Sequence, residues 1–565
     1  MKNKLELTWV GKYSNKEIEP RILIESIDKS NGDTDTDNML IHGDNLLALK
    51  ALEKNYSGKI KCVYIDPPYN TGAAFEQYDD NLEHSIWLNL MNERLKLLHK
   101  LLREDGVIFI QIDNNEFAYL KVICDEIFGR SNFISNITCK VKAPSGVAAG
   151  SQMIFDCSEY ILIYAKDKSK MTYKHLNEDA EIVDENSKTA KFYKFLLEKV
   201  DFGNLILEST FDDEKLYRVP KENYEIKTLT DFSTKSYYDN YEKVFRTASL
   251  SGGREKLIKE YLNSIEDNDG LFVFEHIPTK GKNAGQLCKD LIYKKGGILK
   301  LCDFARKDTE LKAIVKEQHI TSIFNNDWWQ GIAAEGGITL KNGKKPEILI
   351  KTILDMVTEE GDFVLDSFLG SGSTCAVAHK MKRKYIGIEL GEQCYTHCKV
   401  RLDNVINGDM SGVSKLVNWT SGGGYKFYEL APTLINMDSY GEPIINKKYN
   451  AEMLASAVAL HEGFQYEPSS ELFWKQSRGN ENSFLYVTTN FVDKNIIDHI
   501  NLEMKPEEFV IVACTSFDPE VSKLYKNIKV KKLPEMLLSK CEFDKDDYDL
   551  NIICPPNYEE EYDEE

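Results

Sequence analysis

A dense apolar run that stops at two consecutive prolines constrains the fold of this chain more than any other feature. Residues 59–66 have the sequence KIKCVYID, and Pro67, Pro68, Tyr69 and Asn70 follow. Valine, isoleucine and tyrosine at this density predict a buried strand, and two prolines end such a strand abruptly. We therefore expect a sheet with one strand that closes at residue 66.

Strands and helices alternate around this run. Residues 39–55 predict a strand, a turn at Gly43 and Asp44 and a helix, whereas residues 86–102 have helical spacing and precede a second buried strand at 106–113. A further strand is predicted at 159–166, and the alternation resumes with a helix from residue 345, a strand at 362–366 and a helix near Ser373. Alternating strands and helices predict an α/β fold with a parallel, doubly wound sheet.

The chain is long enough for several domains, and its composition changes along its length. Residues 167–330 are rich in Tyr, Lys and Asp with shorter apolar runs, so they are expected to form a separate module. The predicted segments are an N-terminal extension (1–38), a first half of the α/β domain (39–166), the module (167–330), a second half (331–410), a linker (411–449) and a small C-terminal α/β domain with an acidic tail (450–565).

The net charge of −20 looks unfavourable for a nucleic-acid partner, because phosphate contacts supply most nonspecific affinity. However, the last eight residues are almost entirely acidic, and local charge is what a nucleic acid meets. A basic stretch at 280–307 supplies candidate DNA contacts: Lys280, Lys282, Lys294, Lys295 and Arg306. The sequence near Met1 does not resemble a signal peptide and no apolar run reaches the length of a membrane span, so a cytoplasmic protein without a membrane partner is expected.

A glycine turn between two predicted strands is typical of a cofactor site. The strand at 362–366 leads into Gly370 and Gly372, a helix follows, and the next strand ends at Glu389. Glycines let a backbone approach a ligand closely, and an acidic residue at the end of the next strand can accept hydrogen bonds from ribose hydroxyls. The pattern favours an adenosine-containing cofactor without a pyrophosphate, because the third glycine of a dinucleotide fingerprint is missing.

The turn after residue 66 suits chemistry on the exocyclic amine of a base. Such an amine is a poor nucleophile. The Asp66 carboxylate and the Pro67 carbonyl can each accept a hydrogen bond from one of its N–H groups and stabilise the positive charge that develops on the nitrogen when it receives a methyl group. Tyr69 offers a face on which an extruded base can stack. The plain alternative is a strand ended by a rigid turn, which two prolines produce in many proteins.

Two other patterns are expected to have no chemical role. Residues 554–558 echo the proline motif in the wrong order before an acidic tail. Cys394, His397 and Cys398 lack the further ligands that a zinc site needs, so we interpret them as helical packing residues and expect no metal.

Together these motifs resemble the DNA amino-methyltransferases of the β arrangement, in which the catalytic motif precedes the cofactor motif and a target recognition domain lies between them. The length and the C-terminal region most resemble the modification subunit of type III restriction-modification systems. This resemblance implies a Rossmann-like methyltransferase sheet and S-adenosylmethionine as cofactor. It assigns Asp66, Pro67, Pro68 and Tyr69 to catalysis, and the following residues to the cofactor: Asp44, Lys345, Pro346, Asp366, Phe368, Gly370, Gly372 and Glu389.

Some positions depart from the family pattern or stay open. Ser367 and Leu369 replace the proline and alanine usual beside the cofactor glycines. Asn70 is a candidate DNA contact, and the glycine-containing loop at 143–150 either closes over DNA or is an ordinary surface loop. Trp328 and Trp329 are interpreted as packing residues rather than base-stacking groups.

The resulting hypothesis is an adenine-specific (N6) DNA methyltransferase that flips the target base out of duplex DNA. The alternatives are transfer to cytosine N4, to an RNA base or to a glutamine amide, and a noncatalytic DNA-recognition scaffold. The expected partners are double-stranded DNA, a second copy of the chain in a homodimer and a restriction subunit. The chain has no phosphate-binding loop of the GxxxxGK[ST] type, so ATP-driven translocation and cleavage would come from that subunit.

Overall fold

A computed structural model of the chain describes residues 6–13, 17–69, 84–142, 156–250, 253–265, 269–278, 283–324, 327–340, 344–480 and 482–545. Within these residues no helix is long and apolar enough to cross a membrane. The chain divides into two compact units, of which the second comprises His175–Ile320 and the first comprises the remainder.

Among its described residues, the first segment of unit 1 supplies seven strands and three helices. The elements are β1 Leu23–Glu25, β2 Asn31–Gly32, β3 Met39–His42, α1 Asn45–Tyr56, β4 Ile60–Ile65, α2 His84–Leu101, β5 Leu102–Ile112, α3 Phe117–Cys124, β6 Phe133–Lys140 and β7 Ser158–Ala165.

Unit 2 is mostly antiparallel. Its elements are β8 Asn177–Ile182, β9 Phe195–Val200, β10 Ile206–Phe211, β11 Glu214–Arg218, β12 Tyr224–Thr228, α4 Thr234–Asp239, β13 Val244–Ser249, α5 Gly253–Ser264, β14 Leu271–His276, β15 Cys288–Tyr293, β16 Gly296–Lys300, β17 Ala305–Asp308 and β18 Ala313–His319. They form an eight-stranded sheet in the order β10-β11-β14-β15-β16-β13-β9-β12 and a three-stranded sheet in the order β17-β18-β8, within the described residues.

The last segment returns to unit 1. Its elements are β19 Ile323–Phe324, α6 Glu347–Val357, β20 Phe363–Asp366, α7 Ser373–Lys380, β21 Lys384–Glu389, α8 Val400–Ile406, β22 Gly424–Leu430, β23 Ile435–Met437, β24 Pro443–Ile445, α9 Ala451–Glu462, β25 Gln465–Tyr466, β26 Ser477–Arg478, β27 Ser483–Val492, α10 Lys494–Glu503, β28 Phe509–Phe517 and β29 Ile528–Lys532.

The main sheet of unit 1 has the strand order β1-β22-β3-β21-β20-β4-β5-β7-β6-β19 among the described residues, and β2 also pairs with β22. The run from β22 to β5 is parallel throughout, whereas β7 is antiparallel to β5. Residues of both sheet faces are buried, as Ile41 and Ile65 are on one face and Leu40 and Tyr64 on the other. Two-sided burial of a parallel sheet is the signature of a doubly wound α/β fold, and the Rossmann-like prediction is confirmed.

The predicted module boundaries differ from those of unit 2. Residues 167–174 stay with unit 1, where the Lys174 N–H donates to the Met356 carbonyl at 2.7 Å, and residues 321–330 stay there because β19 pairs with β6. Composition places such a boundary only loosely, because polar edge segments and loops have similar residue content.

The segment predicted as a linker is part of the main sheet. Strand β22 lies between β1 and β3, with Tyr425 and Phe427 buried, and the predicted N-terminal extension supplies β1 beside it. The three consecutive glycines at 422–424 are typical of turns, so the sequence predicted a linker here rather than a strand.

The C-terminal region forms its own sheet, β25-β26-β27-β28-β29, but lies in unit 1 rather than in a separate unit. Its α9 residues Leu454 and Val458 share a core with Ile22 and Leu434. The predicted acidic tail lies outside the described residues.

Candidate functional site

The carboxyl ends of four adjacent parallel strands bring the two predicted turns to one edge of the main sheet. Strand β4 pairs with β20 in parallel, with Val63 opposite Leu365, and β20 pairs with β21, with Asp366 opposite Gly387. Strand β3 follows β21. Because parallel strands end at the same edge, the turn after Ile65 lies beside the glycine turn after Asp366, as the sequence predicts.

The turn after β4 is held against the sheet by buried groups. The Trp87 side chain, which is fully buried on α2, donates from Nε1 to the Pro68 carbonyl at 2.7 Å. The Tyr69 hydroxyl donates to Asp66 Oδ1 at 2.6 Å. Asn70, a candidate DNA contact, lies outside the described residues.

Lys345 is the cation of this turn. Its Nζ lies 2.9 Å from Asp66 Oδ2, 2.9 Å from the Tyr69 hydroxyl and 3.4 Å from Glu159 Oε2. It also lies 5.1 Å from the centre of the Tyr69 ring. Lys345 was predicted from the family pattern as a cofactor residue, but its side chain contacts the Asp66 carboxylate.

Burial and ion pairing act in opposite directions on these charges. Burial raises the pKa of the Asp66 carboxyl above its usual range, although Lys345 lowers it, and burial with the nearby Asp66 raises the pKa of Tyr69 well above 10.0. The ammonium of Lys345 loses hydration on burial, but Asp66 and Glu159 outweigh that effect and raise its pKa. The Lys345 side chain therefore carries its positive charge at neutral pH.

Glu159 is the site residue that sequence reasoning missed. It lies at the beginning of β7, and because β7 is antiparallel its amino end reaches the edge where β4 and β5 end. Glu159 Oε2 accepts from Gln111 Nε2 and lies 3.0 Å from the Tyr69 hydroxyl. The strand itself was predicted, but nothing local encodes its direction in the sheet.

The glycine turn after β20 relies on backbone groups. The Gly370 N–H donates to Glu389 Oε2 at 2.7 Å and the Gly391 N–H donates to Oε1 at 3.1 Å. Gly370 and Gly372 have φ of +56° and +77°, which favours glycine, and Gly372 caps α7. A side chain at Gly370 would meet no atom within 4 Å, so the backbone there is open to a ligand.

Two further polar groups of this turn are buried. Asp366 accepts from the Phe368 N–H at 3.0 Å and from the Thr374 hydroxyl at 2.6 Å, and burial raises its pKa to about 7. The Ser367 hydroxyl is buried and has no hydrogen-bond partner in the described part of the chain. Burial also raises the pKa of Glu389, against the bonds from Gly391 and Gly370.

The first helix connects to the same turn. Asp44 caps α1 by accepting from the Leu47 N–H at 3.0 Å, and Arg94 lies 3.2 Å from its other oxygen. The neighbouring Asn45, which sequence reasoning did not single out, donates to the Ser367 carbonyl at 2.7 Å. The predicted Asp44 position is thus joined to the glycine turn through Asn45.

A buried ionic cluster contacts the glycine turn through Arg401. Glu347 accepts from Arg401 at 2.8 Å and from Lys380 at 2.9 Å, and all three side chains are inaccessible to solvent. Arg401 also donates to the Ser373 hydroxyl at 2.7 Å, and that hydroxyl donates to the Lys345 carbonyl at 3.0 Å. Pro346, the other predicted cofactor residue of this segment, is the residue before α6.

The cysteine and histidine residues near α8 pack within the protein. Cys394 and Cys398 are buried, and His397 Nε2 lies 3.2 Å from the Thr339 carbonyl. The described residues contain no group of three or more His, Cys, Asp or Glu side chains that could bind a metal ion.

The predicted basic stretch of unit 2 is divided. Lys280 and Lys282 lie outside the described residues, whereas Lys294 and Lys295 form the turn between β15 and β16 with φ of 48° and 61°. Arg306 lies on β17 in the other sheet, 2.8 Å from Asp308 and 3.2 Å from Glu317. Lys294 Nζ lies 3.9 Å from Asp269 Oδ1, farther than either acidic partner of Arg306, so the hairpin turn presents the less neutralised positive charge.

The two tryptophans lie in unit 1. Trp328 packs against Phe324 with ring centres 5.0 Å apart, and both Trp328 and Trp329 are half-buried. The loop at 143–150 lies outside the described residues.

The fold and the edge site define a Rossmann-like protein with an Asp-Pro-Pro-Tyr turn beside a glycine turn. The profile of the DNA methylase family matches residues 60–399, which is more than half of the chain. The chain therefore belongs to the DNA methylase family.

Individual relatives are modification subunits. The chain is 37% identical over 438 residues to the "Probable type III restriction-modification enzyme HindVI Mod subunit" of Haemophilus influenzae, covering 75% of this chain and 58% of that protein. It is 27% identical over 461 residues to the type III restriction-modification enzyme EcoPI Mod subunit of Escherichia phage P1, covering 72% and 65%. The chain thus spans less than two thirds of either relative's length. The solved PvuII DNA methyltransferase (cytosine-N4-specific) covers 72% of this chain and 98% of its own at 15% identity, with a TM-score of 0.30.

Proposed function

We propose that this protein transfers a methyl group from S-adenosylmethionine to N6 of an adenine flipped out of duplex DNA. The observation that carries the proposal is the position of the Asp66 turn directly beside the Gly370 turn, at the ends of the paired strands β4 and β20. Methyl donor and acceptor must meet in line, and two adjacent turns on one sheet edge provide that alignment.

The residues of the glycine turn fit the cofactor. The open backbone at Gly370, the unpartnered Ser367 hydroxyl and the Glu389 carboxylate offer one close approach, one hydroxyl and one acceptor. A carboxylate can accept about four hydrogen bonds. Glu389 accepts from the N–H groups of Gly370 and Gly391 and from the Gln393 amide at 3.5 Å, so it retains capacity for a ribose hydroxyl. When bound, S-adenosylmethionine supplies an electrophilic methyl group, so the tasks left to the protein are orientation and charge stabilisation.

Asp66, Pro67 and Tyr69 act on the base in this proposal. The Asp66 carboxylate and the Pro67 carbonyl accept the two N–H bonds of the amine, which directs its lone pair towards the methyl group. The Tyr69 hydroxyl and Lys345 occupy the two Asp66 oxygens, so the incoming amine must replace at least one of these donors. The ring of Tyr69 then provides the stacking face.

Unit 2 acts as the target recognition domain in this account. It is compact and lies, in the sequence, between the two segments that form the methyltransferase sheet. Its β15–β16 turn carries Lys294 and Lys295. The names of the relatives support a further assignment, namely a modification subunit that works with a restriction subunit. The homodimer expected from the sequence stays a prediction, because these names do not concern it.

Product analysis tests the proposal. The protein is incubated with S-adenosylmethionine and unmethylated genomic DNA, and the nucleosides are then separated by mass. We expect N6-methyladenine at one sequence context, and exchange of residues 175–320 for a relative's unit should change that context. N4-methylcytosine would assign the cytosine alternative, and DNA binding without any methylated product would assign the scaffold.

A further inference from the structure

A chain of buried hydrogen bonds across three strands holds the Glu159 side chain in place. Tyr64 on β4 donates from its hydroxyl to Gln111 Oε1 on β5 at 2.5 Å, and the Gln111 amide then donates to Glu159 on β7. Tyr64 and Gln111 are both buried. Because the tyrosine hydroxyl occupies the amide oxygen, the amide nitrogen must face Glu159, and this fixes the position of the carboxylate.

Several donors converge on one oxygen of Glu159. Gln111 donates to Oε2 and Lys345 lies 3.4 Å from it. The Tyr69 hydroxyl, whose one proton is shared with Asp66 Oδ1, lies 3.0 Å from it. Convergent donors suit a carboxylate and not a protonated acid. Burial raises the pKa of Glu159, but Lys345 and the hydrogen bonds outweigh burial and leave the pKa lowered, so the group is ionised at neutral pH.

Lys345 is consequently shared between two carboxylates. Its side chain is 9% exposed, and those of Asp66 and Glu159 are 19% and 16% exposed. Two carboxylates and one ammonium leave the pocket with one net negative charge. A net negative pocket favours an amine that becomes positive during transfer.

On the basis of the proposed function, we propose that Glu159 is a positioning residue for methyl transfer. It shares Lys345 with Asp66, which weakens the Lys345–Asp66 ion pair, so that the target amine can replace Lys345 at Asp66 Oδ2. Its own charge adds to the negative field around that amine. No motif of the sequence marks this residue, and its role follows from the antiparallel placement of β7 at the end of β4 and β5.

Removal of the Lys345 charge and removal of the Glu159 charge should shift the pKa of Asp66 in opposite directions. The charged or titratable groups around Asp66 are Lys345, Glu159, Tyr69, Tyr64 and Asp366. Lys345 lowers the pKa of Asp66 and Glu159 raises it. Since transfer needs ionised Asp66, Lys345→Met should move the acidic limb of the rate profile to higher pH, and Glu159→Gln should move it to lower pH, each by about one unit.

The experiment measures kcat against pH on duplex DNA at saturating S-adenosylmethionine for the wild type and both variants. Glu159→Gln should also lower the plateau of kcat by about tenfold or more, because Lys345 then binds Asp66 alone. Its Kd for S-adenosylmethionine and its Tm should stay at the wild-type values. Burial, Thr374, Phe368, Asp66 and Glu389 set the pKa of Asp366, and neither substituted residue is among them, so opposite shifts in the two variants are assigned to Asp66.

Matched controls lie at the other end of β5. Glu104 and Lys170 form an exposed ion pair at 2.9 Å near the beginning of that strand, so Glu104→Gln and Lys170→Met remove the same charges away from the site. Neither control should shift the acidic limb. Should Glu159→Gln fail to fold, Glu159→Asp carries the test, because it retains the charge and should lower kcat while leaving the limb in place.

Two results would overturn the inference: limbs of Glu159→Gln and Lys345→Met that shift in the same direction, or an unshifted limb with full kcat in Glu159→Gln. Absence of transfer by the wild-type protein at every pH is a different outcome, because it contradicts the proposed function on which the inference rests.

Discussion

The two turns at the sheet edge are neighbours, yet they are built in different ways. The turn after β4 uses charged side chains from separate elements, since Lys345 precedes α6 and Glu159 begins β7. The turn after β20 uses mainly glycines and backbone N–H groups, which donate to the carboxylates of Glu389 and Asp366. A cofactor of constant shape can be bound by fixed backbone geometry, whereas a reacting amine needs charges that act on its transition state.

The largest effect should follow a change at the charged turn. Asp66→Ala removes the acceptor of the target amine, so methyl transfer should fall at least about a thousandfold. The Kd for S-adenosylmethionine, measured by calorimetry, should be unchanged because the glycine turn is intact. Equal loss of transfer and cofactor binding would mean that the two turns are not separable.

The carboxylate of the backbone turn should affect binding instead. Glu389→Ala removes charge-assisted hydrogen bonds worth about 1.5–3 kcal/mol, so the Kd for S-adenosylmethionine should rise about 10- to 100-fold. The exposed Glu392 is three residues away, and Glu392→Ala serves as the control with unchanged Kd. A wild-type Kd in Glu389→Ala would remove Glu389 from the cofactor site.

The two glycines should separate binding from folding. Both have positive φ, so alanine at either position costs about 1–2 kcal/mol of backbone strain. At Gly372 the new methyl group would also lie 3.2 Å from the Cys398 Cα, whereas at Gly370 it would meet no protein atom within 4 Å. Thermal unfolding should therefore show the larger loss of Tm for Gly372→Ala, and calorimetry the larger loss of cofactor affinity, relative to Tm, for Gly370→Ala. The reverse order would contradict an open backbone at Gly370.

The smallest effect should come from unit 2, at the turn between β15 and β16. The double variant Lys294→Ala, Lys295→Ala should weaken DNA binding several-fold and reduce the slope of log K against log salt by about two, if each lysine contacts one phosphate. Lys227→Ala, which removes a lysine 3.0 Å from Glu225 in the same unit, is the control. An unchanged salt slope, measured by fluorescence anisotropy, would exclude the hairpin from the DNA interface.

The parts of this site that local sequence predicts are those formed by single segments. The apolar run before Asp66 and the strand before Gly370 were predictable because burial and turn chemistry are encoded within a few residues. Their adjacency followed from the parallel alternation of strands and helices.

The contacts that join distant segments were not predictable. Glu159 and Asp66 are separated by 93 positions in the sequence, and only the antiparallel direction of β7 brings them together. The Glu347 and Arg401 pair and the insertion of β22 beside β3 are likewise tertiary events without a local signal. The two turns were thus predicted from the sequence. Lys345 was assigned to the cofactor, although its ammonium group pairs with the Asp66 carboxylate.

The most direct test of the central claim is a crystal structure with S-adenosylmethionine and a duplex that contains the methylated sequence. We expect an extruded adenine against Tyr69, with its amine at Asp66 and about 3–3.5 Å from the methyl carbon of a cofactor bound over residues 367–372. A cofactor bound at another edge of the sheet, or a target base outside the Asp66 turn, would contradict it.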